Sequence, residues 1–264
     1  MATTTRRIAV QCVAAVVGGL GVGSLSIFGL FLWTGAFGFL ELHLEEHSLL
    51  VWDGGLCLLF FLQHSGMVRR SFQAKLIRVL PGHWYRVIYT IASAAALLLL
   101  VALWQRSTVE IYVATGVGRW LFAALLLACL AGILWGIRSL EQFDAFGIDI
   151  FLSQVRQEER HPAKLTVEGP YRLVRHPFYS FGIIALWAAP VLSLDRLLLN
   201  TVFTLWIVMG ASLEERDLLC EFGEDYRLYQ RAVPMFVPRM PALDQGFNRV
   251  RKNSANRSTG KPCG

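Results

Sequence analysis

Charge is missing from long stretches of this 264-residue chain. Residues 8–40 contain no Asp, Glu, Lys or Arg, and residues 49–64 contain only Asp53. Hydrophobic residues make up 55% of the sequence, and the mean hydropathy is +0.47. Both values are high for a soluble domain. The composition therefore excludes an ordinary soluble domain and predicts an integral membrane protein.

Paired cysteines and metal-ligand spacings are also missing. The five cysteines contain no Cys-x-x-Cys pair, which excludes a disulfide framework and a zinc signature. The acidic loop 41–46, with His43 and His47, could bind a metal weakly. A solvated turn that faces lipid headgroups is the favoured interpretation of this loop. We predict no metal site.

The glycines of residues 18–23 resemble a phosphate-binding loop only superficially. No strand precedes them and no βαβ pattern follows, which excludes a dinucleotide fold. Small residues within an apolar segment instead favour close packing between helices.

Six apolar segments are candidates for membrane crossing, which needs about 20 helical residues. They are residues 8–40, 49–64, 87–104, 120–137, 178–192 and 197–213. The last two are short and joined by residues 193–196, so they could form a tight hairpin that only partly crosses. We predict an all-α fold, a polytopic membrane bundle of five or six transmembrane helices with a C-terminal helical hairpin.

The basic residues favour six crossings. If the N-terminus is cytoplasmic, 22 of the 25 Lys and Arg residues face inside and only Arg106, Arg119 and Arg196 face outside. This asymmetry predicts that both termini are cytoplasmic, and we expect the protein in a bacterial inner membrane. The net charge of +6 is explained by the asymmetry and by anionic lipid, so no nucleic-acid partner is inferred.

The chain is predicted to form one membrane domain over residues 1–240. Residues 241–264 are rich in Asn, Ser, Arg and Gly, which is typical of a disordered cytoplasmic tail. The sequence indicates no oligomeric state.

Two polar clusters bracket the last apolar hairpin and should meet at one membrane face. The first is residues 169–179, where Pro177 suits the first turn of a helix that starts beside Arg175 and His176. Such a helix start is an anion site. The second cluster begins with Glu214 and Glu215, which can accept hydrogen bonds from ribose hydroxyls or pair with an ammonium group.

Two tyrosines complete the second cluster. Gly223 is a plausible helix C-cap, and Tyr226 and Tyr229 share one face of the helix that follows, where an adenine could stack. A ligand with a carboxylate, an ammonium, a ribose and an adenine suits this mixed set, and S-adenosylmethionine is such a ligand. The alternative is an interfacial belt of arginines and tyrosines with which the glutamates pair.

Three sequence segments carry a family resemblance. GPYRLVRHPFYS, LEERDL and FGEDYRLYQRAVPMFVP, in this order, resemble the isoprenylcysteine carboxyl methyltransferase and phospholipid methyltransferase superfamily over residues 166–239. The resemblance implies a cytoplasmic cofactor pocket for S-adenosylmethionine, in a catalytic half at about residues 138–240. The residues that it implies are Tyr171, Arg175, His176, Pro177, Tyr179, Glu214, Glu215, Tyr226 and Tyr229.

The first half of the chain narrows the resemblance. FLQHSGMVRR at residues 61–70, RVIY at 86–89 and FDAFG at 143–147 resemble the NnrU-like branch that contains methanethiol S-methyltransferases. Glu141 and Gln142 depart from that branch, in which a His or Asn precedes the Phe-Asp pair. The branch implies a small thiol as the methyl acceptor.

A thiol acceptor needs a group that favours its thiolate. His64 and Arg175 are the predicted catalytic residues, and Gln63 and Arg69 are weaker candidates. The alternative for His64 is a helix-end histidine that caps carbonyls or meets lipid headgroups.

Two other functions stay open. A methyltransferase for an isoprenylcysteine carboxylate or a phospholipid amine would use a lipid-soluble acceptor instead of a small molecule. A non-catalytic NnrU-like membrane protein is the alternative of another class. Two elements disfavour a nicotinamide-dependent reductase. They are the RHP-x-Y element at residues 175–179 and the double-Glu element Glu214-Glu215. The lipid bilayer is the expected environment in every case.

Overall fold

The computed structural model of the chain describes residues 2–82, 84–140, 144–156, 165 and 167–238. The predicted tail 241–264 and the Glu141-Gln142 departure lie outside the described residues. The chain divides into two compact units. The first contains residues 1–113, 144–160 and 191–199, and the second contains residues 114–143, 161–190 and 200–264.

Long apolar helices dominate the described part, which confirms the all-α membrane fold. Within that part, five helices are long and apolar enough to cross a membrane. They are α1 (Ala2–Thr34), α2 (Glu46–Val68), α4 (Trp84–Leu103), α5 (Val117–Arg138) and α8 (Leu194–Phe222).

Short elements connect the long helices. They are α3 (Arg70–Ile77), α6 (Ile148–Arg156), the 3₁₀ helix Gly169–Arg172, α7 (Pro177–Trp187) and α9 (Glu224–Ala232). Strands β1 (Glu110–Val113) and β2 (Val191–Ser193) pair antiparallel, with Val113 opposite Val191. The sequence analysis did not predict this small sheet, since three or four residues are too few to show an alternating pattern.

In the first unit, α4 packs against α1 and α2, and α6 packs against α1 and α4. Val17, Val87 and Phe151 form a buried cluster there. A Cβ atom at Gly18 would lie 2.8 Å from the Ile148 side chain, and one at Gly21 would meet the Phe146 ring. Close packing at these two glycines is therefore confirmed.

A buried polar network ties several segments of the first unit together. Asp195, at the start of α8, accepts hydrogen bonds from the Trp104 indole (2.9 Å), the Ser107 amide (3.1 Å) and the Ser193 hydroxyl (2.5 Å). The neighbouring Arg196 donates to the carbonyl of Phe31 at the end of α1 (2.6 Å) and lies over its ring. Both buried side chains therefore have polar partners within the first unit.

In the second unit, α7 packs along α5 in the antiparallel direction. Phe178, near the start of α7, lies against Gly136 near the end of α5. At the opposite ends, the Ala114 amide just before α5 donates to the Pro190 carbonyl at 2.7 Å. The stretch from Pro177 to Pro190 therefore runs back along nearly the full length of α5.

Helix α7 also forms the predicted hairpin with α8. Tyr179 contacts Glu214, and Trp187 donates to the Thr204 hydroxyl at 3.1 Å, so the two helices run antiparallel. The 11 residues of α7 span only about 16 Å, so α7 alone is shorter than the hydrocarbon layer.

Two predicted boundaries of this hairpin are wrong. The apolar segment 178–192 is not one helix, because α7 ends at Trp187 and Val191 begins β2. Pro190 explains this end, since proline lacks the amide hydrogen and disfavours helical backbone in the residue before it. The predicted connection 193–196 is also shorter than expected, because α8 already begins at Leu194.

Candidate functional site

The Arg175 side chain is the centre of a compact polar cluster in the second unit. Its Nε donates to Glu215 Oε1 at 2.6 Å, and its Nη1 donates to the Gln230 carbonyl at 3.0 Å and to the Val233 carbonyl. These carbonyls lie at the C-terminal end of α9, where a cation is favoured by the helix dipole. Arg175 therefore fastens α9 to the loop that precedes α7.

The next four residues of the chain after α9 are fastened to the same loop. We call residues 233–236 the strap. Its four carbonyls accept hydrogen bonds in order from the Arg175 side chain, the Arg175 amide, the His176 amide and the Ser180 hydroxyl. Pro234 favours the extended backbone seen at Val233, and the four hydrogen bonds hold the strap against the loop.

His176 links the strap to the carboxylates of α8. Its ring stacks on Tyr179, with centroids 5.4 Å apart, and lies 6.0 Å from the Phe236 ring. Its Nε2 is 3.2 Å from Glu215 Oε1, and its Nδ1 is 3.9 Å from Glu214 Oε2. Pro177 begins α7, as predicted, and leaves His176 at the helix start.

The two adjacent glutamates have different surroundings. The Glu215 side chain is 13% exposed, and its carboxylate contacts Arg175, His176 and Gln230. The Glu214 side chain is 46% exposed and accepts a hydrogen bond from the Tyr179 hydroxyl at 2.8 Å. Glu214 is therefore the member of the pair that can meet a ligand.

The predicted aromatic residues lie within the same cluster. Tyr226 and Tyr229 are 1% and 2% exposed and pack with Val167 and Val233. The Tyr229 hydroxyl donates to the Tyr171 carbonyl at 2.6 Å. Since both rings are buried, they support α9 in this structure, and stacking of an adenine on them stays a prediction.

Burial sets the protonation of the cluster. It raises the pKa of Tyr171, Tyr226 and Tyr229 above the usual tyrosine value, so their hydroxyls stay protonated at neutral pH. Burial lowers the pKa of His176 more than Glu214 and Glu215 raise it. His176 is therefore neutral at pH 7, with one ring nitrogen as donor and the other as acceptor.

The predicted catalytic residue His64 lies in the first unit, on α2. Its Nε2 is 3.0 Å from the Tyr89 hydroxyl of α4, and its ring stacks on Phe60. The neighbouring Gln63 donates to the Ser93 hydroxyl at 3.3 Å. His64 is thus held by side chains of the membrane-spanning helices, and its catalytic role stays a prediction.

Sequence reasoning missed Gln230, Ser180 and the strap. Their contacts join residues about 15 to 59 positions apart, from the bond of Gln230 to Glu215 up to the bonds of the Arg175 and His176 amides to the strap. Only the position of Gln230 next to Tyr229 could have drawn attention to it.

Comparison with known proteins places the chain in a family. The model of the phospholipid methyltransferase family matches residues 117–224. A methanethiol S-methyltransferase of a Pseudomonas species is 36% identical over 190 residues, which cover 71% of this chain and 72% of the relative. The chain belongs to the membrane methyltransferase family that includes such enzymes. It is therefore an integral membrane methyltransferase.

Two further relatives of this methyltransferase are a second methanethiol S-methyltransferase and nurim. The methanethiol S-methyltransferase 2 of Bradyrhizobium diazoefficiens is 30% identical and covers 78% of this chain and 76% of its own length. Nurim of Sus scrofa is 32% identical and covers 66% of this chain and 71% of its own length. No solved structure matches the chain significantly.

These matches can be compared with the family and the enzyme class that the sequence predicted. The superfamily resemblance is confirmed, and the methyltransferase names favour an enzyme over the non-catalytic alternative. The NnrU-like label stays a prediction.

Proposed function

We propose that the protein transfers a methyl group from S-adenosylmethionine to a small thiol, with methanethiol as the first candidate. The position of Glu214 is the main support for the methyl-donor site. Its half-exposed carboxylate lies beside Tyr179 and His176, next to a set of buried contacts. The thiol acceptor is supported by the names of the relatives that match most of the chain.

The residues present suit the proposed donor chemically. S-adenosylmethionine supplies, when bound, an electrophilic methyl group together with an ammonium, a carboxylate and ribose hydroxyls. Glu214 offers an acceptor for the ammonium or the hydroxyls, and the Tyr179 hydroxyl holds that carboxylate in place. The start of α7 beside His176 favours an anionic group.

The buried contacts give the site its rigidity. Arg175 and Glu215 compensate each other's charge and leave Glu214 as the exposed carboxylate of the pair. Holding the two reactants in line is the main contribution that a protein makes to such a transfer. The thiol loses its proton when the new carbon–sulfur bond forms, and His64 or Arg175 is proposed to favour the thiolate.

The acceptor is tested by a competition experiment. Detergent-purified protein is given S-adenosylmethionine with a labelled methyl group, together with methanethiol, a farnesylated cysteine analogue and phosphatidylethanolamine. Labelled dimethyl sulfide supports the proposal. Label in the ester or lipid fraction alone contradicts the thiol acceptor and leaves the donor assignment in place.

A phospholipid amine is the second candidate acceptor. It is favoured by the match of residues 117–224 to the phospholipid methyltransferase family. The matched range covers the helix hairpin but omits most of the first half of the chain. The small thiol is preferred because the methanethiol S-methyltransferases match more of the chain, up to 78%.

We also propose a bacterial inner membrane with both termini in the cytoplasm. The methanethiol S-methyltransferase relatives are bacterial. The antiparallel course of Pro177 to Pro190 along α5 supports a sixth pass of the chain, made by α7 and the residues after it. An even number of passes brings both termini to one side.

A further inference from the structure

Gln230 closes a ring of three hydrogen bonds at the base of the candidate donor site. Its side-chain amide donates to Glu215 Oε2 at 2.8 Å. Its main-chain carbonyl accepts from Arg175 Nη1 at 3.0 Å, and Arg175 Nε donates to Glu215 Oε1 at 2.6 Å. Each of the three residues therefore binds both others.

The ring joins three segments of the second unit. Glu215 belongs to α8, Gln230 to α9, and Arg175 to the loop before α7. The Glu215 carboxylate also contacts the His176 ring. Its two oxygens are thus held from three directions, and its orientation about the α8 axis is fixed.

The ring also affects the direction of the Glu214 side chain, because Glu214 and Glu215 are adjacent on α8. Successive residues of a helix point about 100° apart, so fixing Glu215 also fixes the direction of Glu214. A movement of α9 would break the bond between Gln230 and the Glu215 carboxylate. Either Glu215 or Glu214 could then form a different contact with Arg175 or His176. We propose that Gln230 is a positioning residue for the donor site, which keeps Glu215 bound to α9 and leaves Glu214 exposed to the methyl donor.

Only a residue with a donor at this position can serve that purpose. A carboxylate accepts hydrogen bonds and cannot donate, so Glu215 requires the amide hydrogen of Gln230. Leu at position 230 would keep a similar size without that donor. Glu at position 230 would place a second carboxylate against Glu215, near the charged groups of Arg175 and Glu214 and beside the His176 ring.

This inference rests on the proposed donor. The experiment therefore distinguishes failure of the positioning role from failure of the proposed function. Binding of S-adenosylmethionine to detergent-purified full-length protein is measured by titration calorimetry for wild type, Gln230→Leu and Gln230→Glu. The control is Arg231→Gln, which changes an exposed residue next in sequence on α9. Thermal unfolding is recorded for all four proteins.

The expected result is a loss of affinity of about tenfold in Gln230→Leu, as for removal of a hydrogen bond to a charged group. Gln230→Glu should bind poorly at about pH 8 and recover at about pH 6, because two adjacent carboxylates raise the pKa of one of them and the shared proton restores the hydrogen bond. Gln230→Leu should not recover. Arg231→Gln should bind like wild type.

Two results would overturn the positioning role. One is affinity of Gln230→Leu within twofold of wild type, which would leave the proposed donor intact. The other is an unfolded Gln230→Leu together with a folded Gln230→Glu whose affinity does not depend on pH. Absence of binding to wild type would contradict the proposed function itself and the positioning role with it.

Discussion

Glu214 and Glu215 are adjacent in sequence, yet their exposed fractions of 46% and 13% differ because successive helical side chains point in different directions. The exposed Glu214 has the Tyr179 hydroxyl as a hydrogen-bond partner, whereas the buried Glu215 is surrounded by Arg175, His176 and Gln230. The double-Glu element therefore divides into one exposed residue, which is proposed to meet the ligand, and one buried residue that supports the site.

Glu214→Gln should separate ligand binding from folding. The substitution keeps the shape and removes the charge, so the affinity for S-adenosylmethionine should fall about tenfold while the thermal unfolding temperature changes little. Glu215→Gln is the matched variant, and it should lose both affinity and thermal stability, because it leaves the buried Arg175 charge without its anion. Wild-type affinity in Glu214→Gln would contradict this division.

His176 should make stability depend on pH. Burial lowers its pKa in the folded protein below the ordinary value of 6.5, so the unfolded chain binds the proton more tightly. Stability should therefore fall as the pH decreases from 6.5 towards the lowered pKa. Thermal unfolding in detergent should show this decrease in wild type and a flatter dependence in His176→Gln. An identical dependence in both proteins would exclude His176 as its source.

At the scale of elements, the loop before α7 depends on a glycine. Gly169 has a φ of +55°, and a Cβ atom there would lie 2.8 Å from Ser139 Cβ at the end of α5. Gly169 thus permits both the left-handed backbone and the close approach of the 3₁₀ helix to α5.

Gly169→Ala should destabilise the protein by about 1–3 kcal/mol. Gly182→Ala is the matched control, because Gly182 lies in α7 and a Cβ atom there meets no heavy atom within 4 Å. It should be neutral or stabilising by up to about 1 kcal/mol, since alanine favours helix. Denaturant or thermal unfolding of both variants checks the difference, and equal effects would contradict the close approach.

Asp195 should be the strongest polar contributor to the first unit. Asp195→Ala leaves the Trp104, Ser107 and Ser193 donors without their acceptor, and should cost about 2–4 kcal/mol. Asp217→Ala, at an exposed position of the same helix, should change unfolding by less than about 0.5 kcal/mol. Similar unfolding of the two variants would show that the network contributes little.

The elements differ in how far the sequence predicts them. Long apolar runs predicted α4 and α5 to within a few residues, because a bilayer requires extended apolar helices. The turn at Pro190 was visible as a proline, but pairing of β2 with β1 depends on residues about 80 positions away. The RHP-x-Y and double-Glu motifs led to the cluster, whereas Gln230 and the strap required the tertiary structure.

At the scale of the whole molecule, the account predicts an even number of passes. Position 115 lies between β1 and α5, and position 231 lies on α9. In a cysteine-free background, Thr115→Cys should react in intact cells with a membrane-impermeant thiol reagent, and Arg231→Cys should react only after permeabilisation. Reaction of Arg231→Cys in intact cells would contradict two cytoplasmic termini.

The central claim is transfer of a methyl group from S-adenosylmethionine at the cluster around Glu214. The most direct test follows labelled methyl from S-adenosylmethionine into methanethiol, with wild type and Glu214→Gln compared at equal amounts of folded protein. The account predicts labelled dimethyl sulfide from wild type and a loss of about tenfold or more in the variant at limiting donor. Absence of transfer by folded wild type, or equal transfer by both proteins, would contradict it.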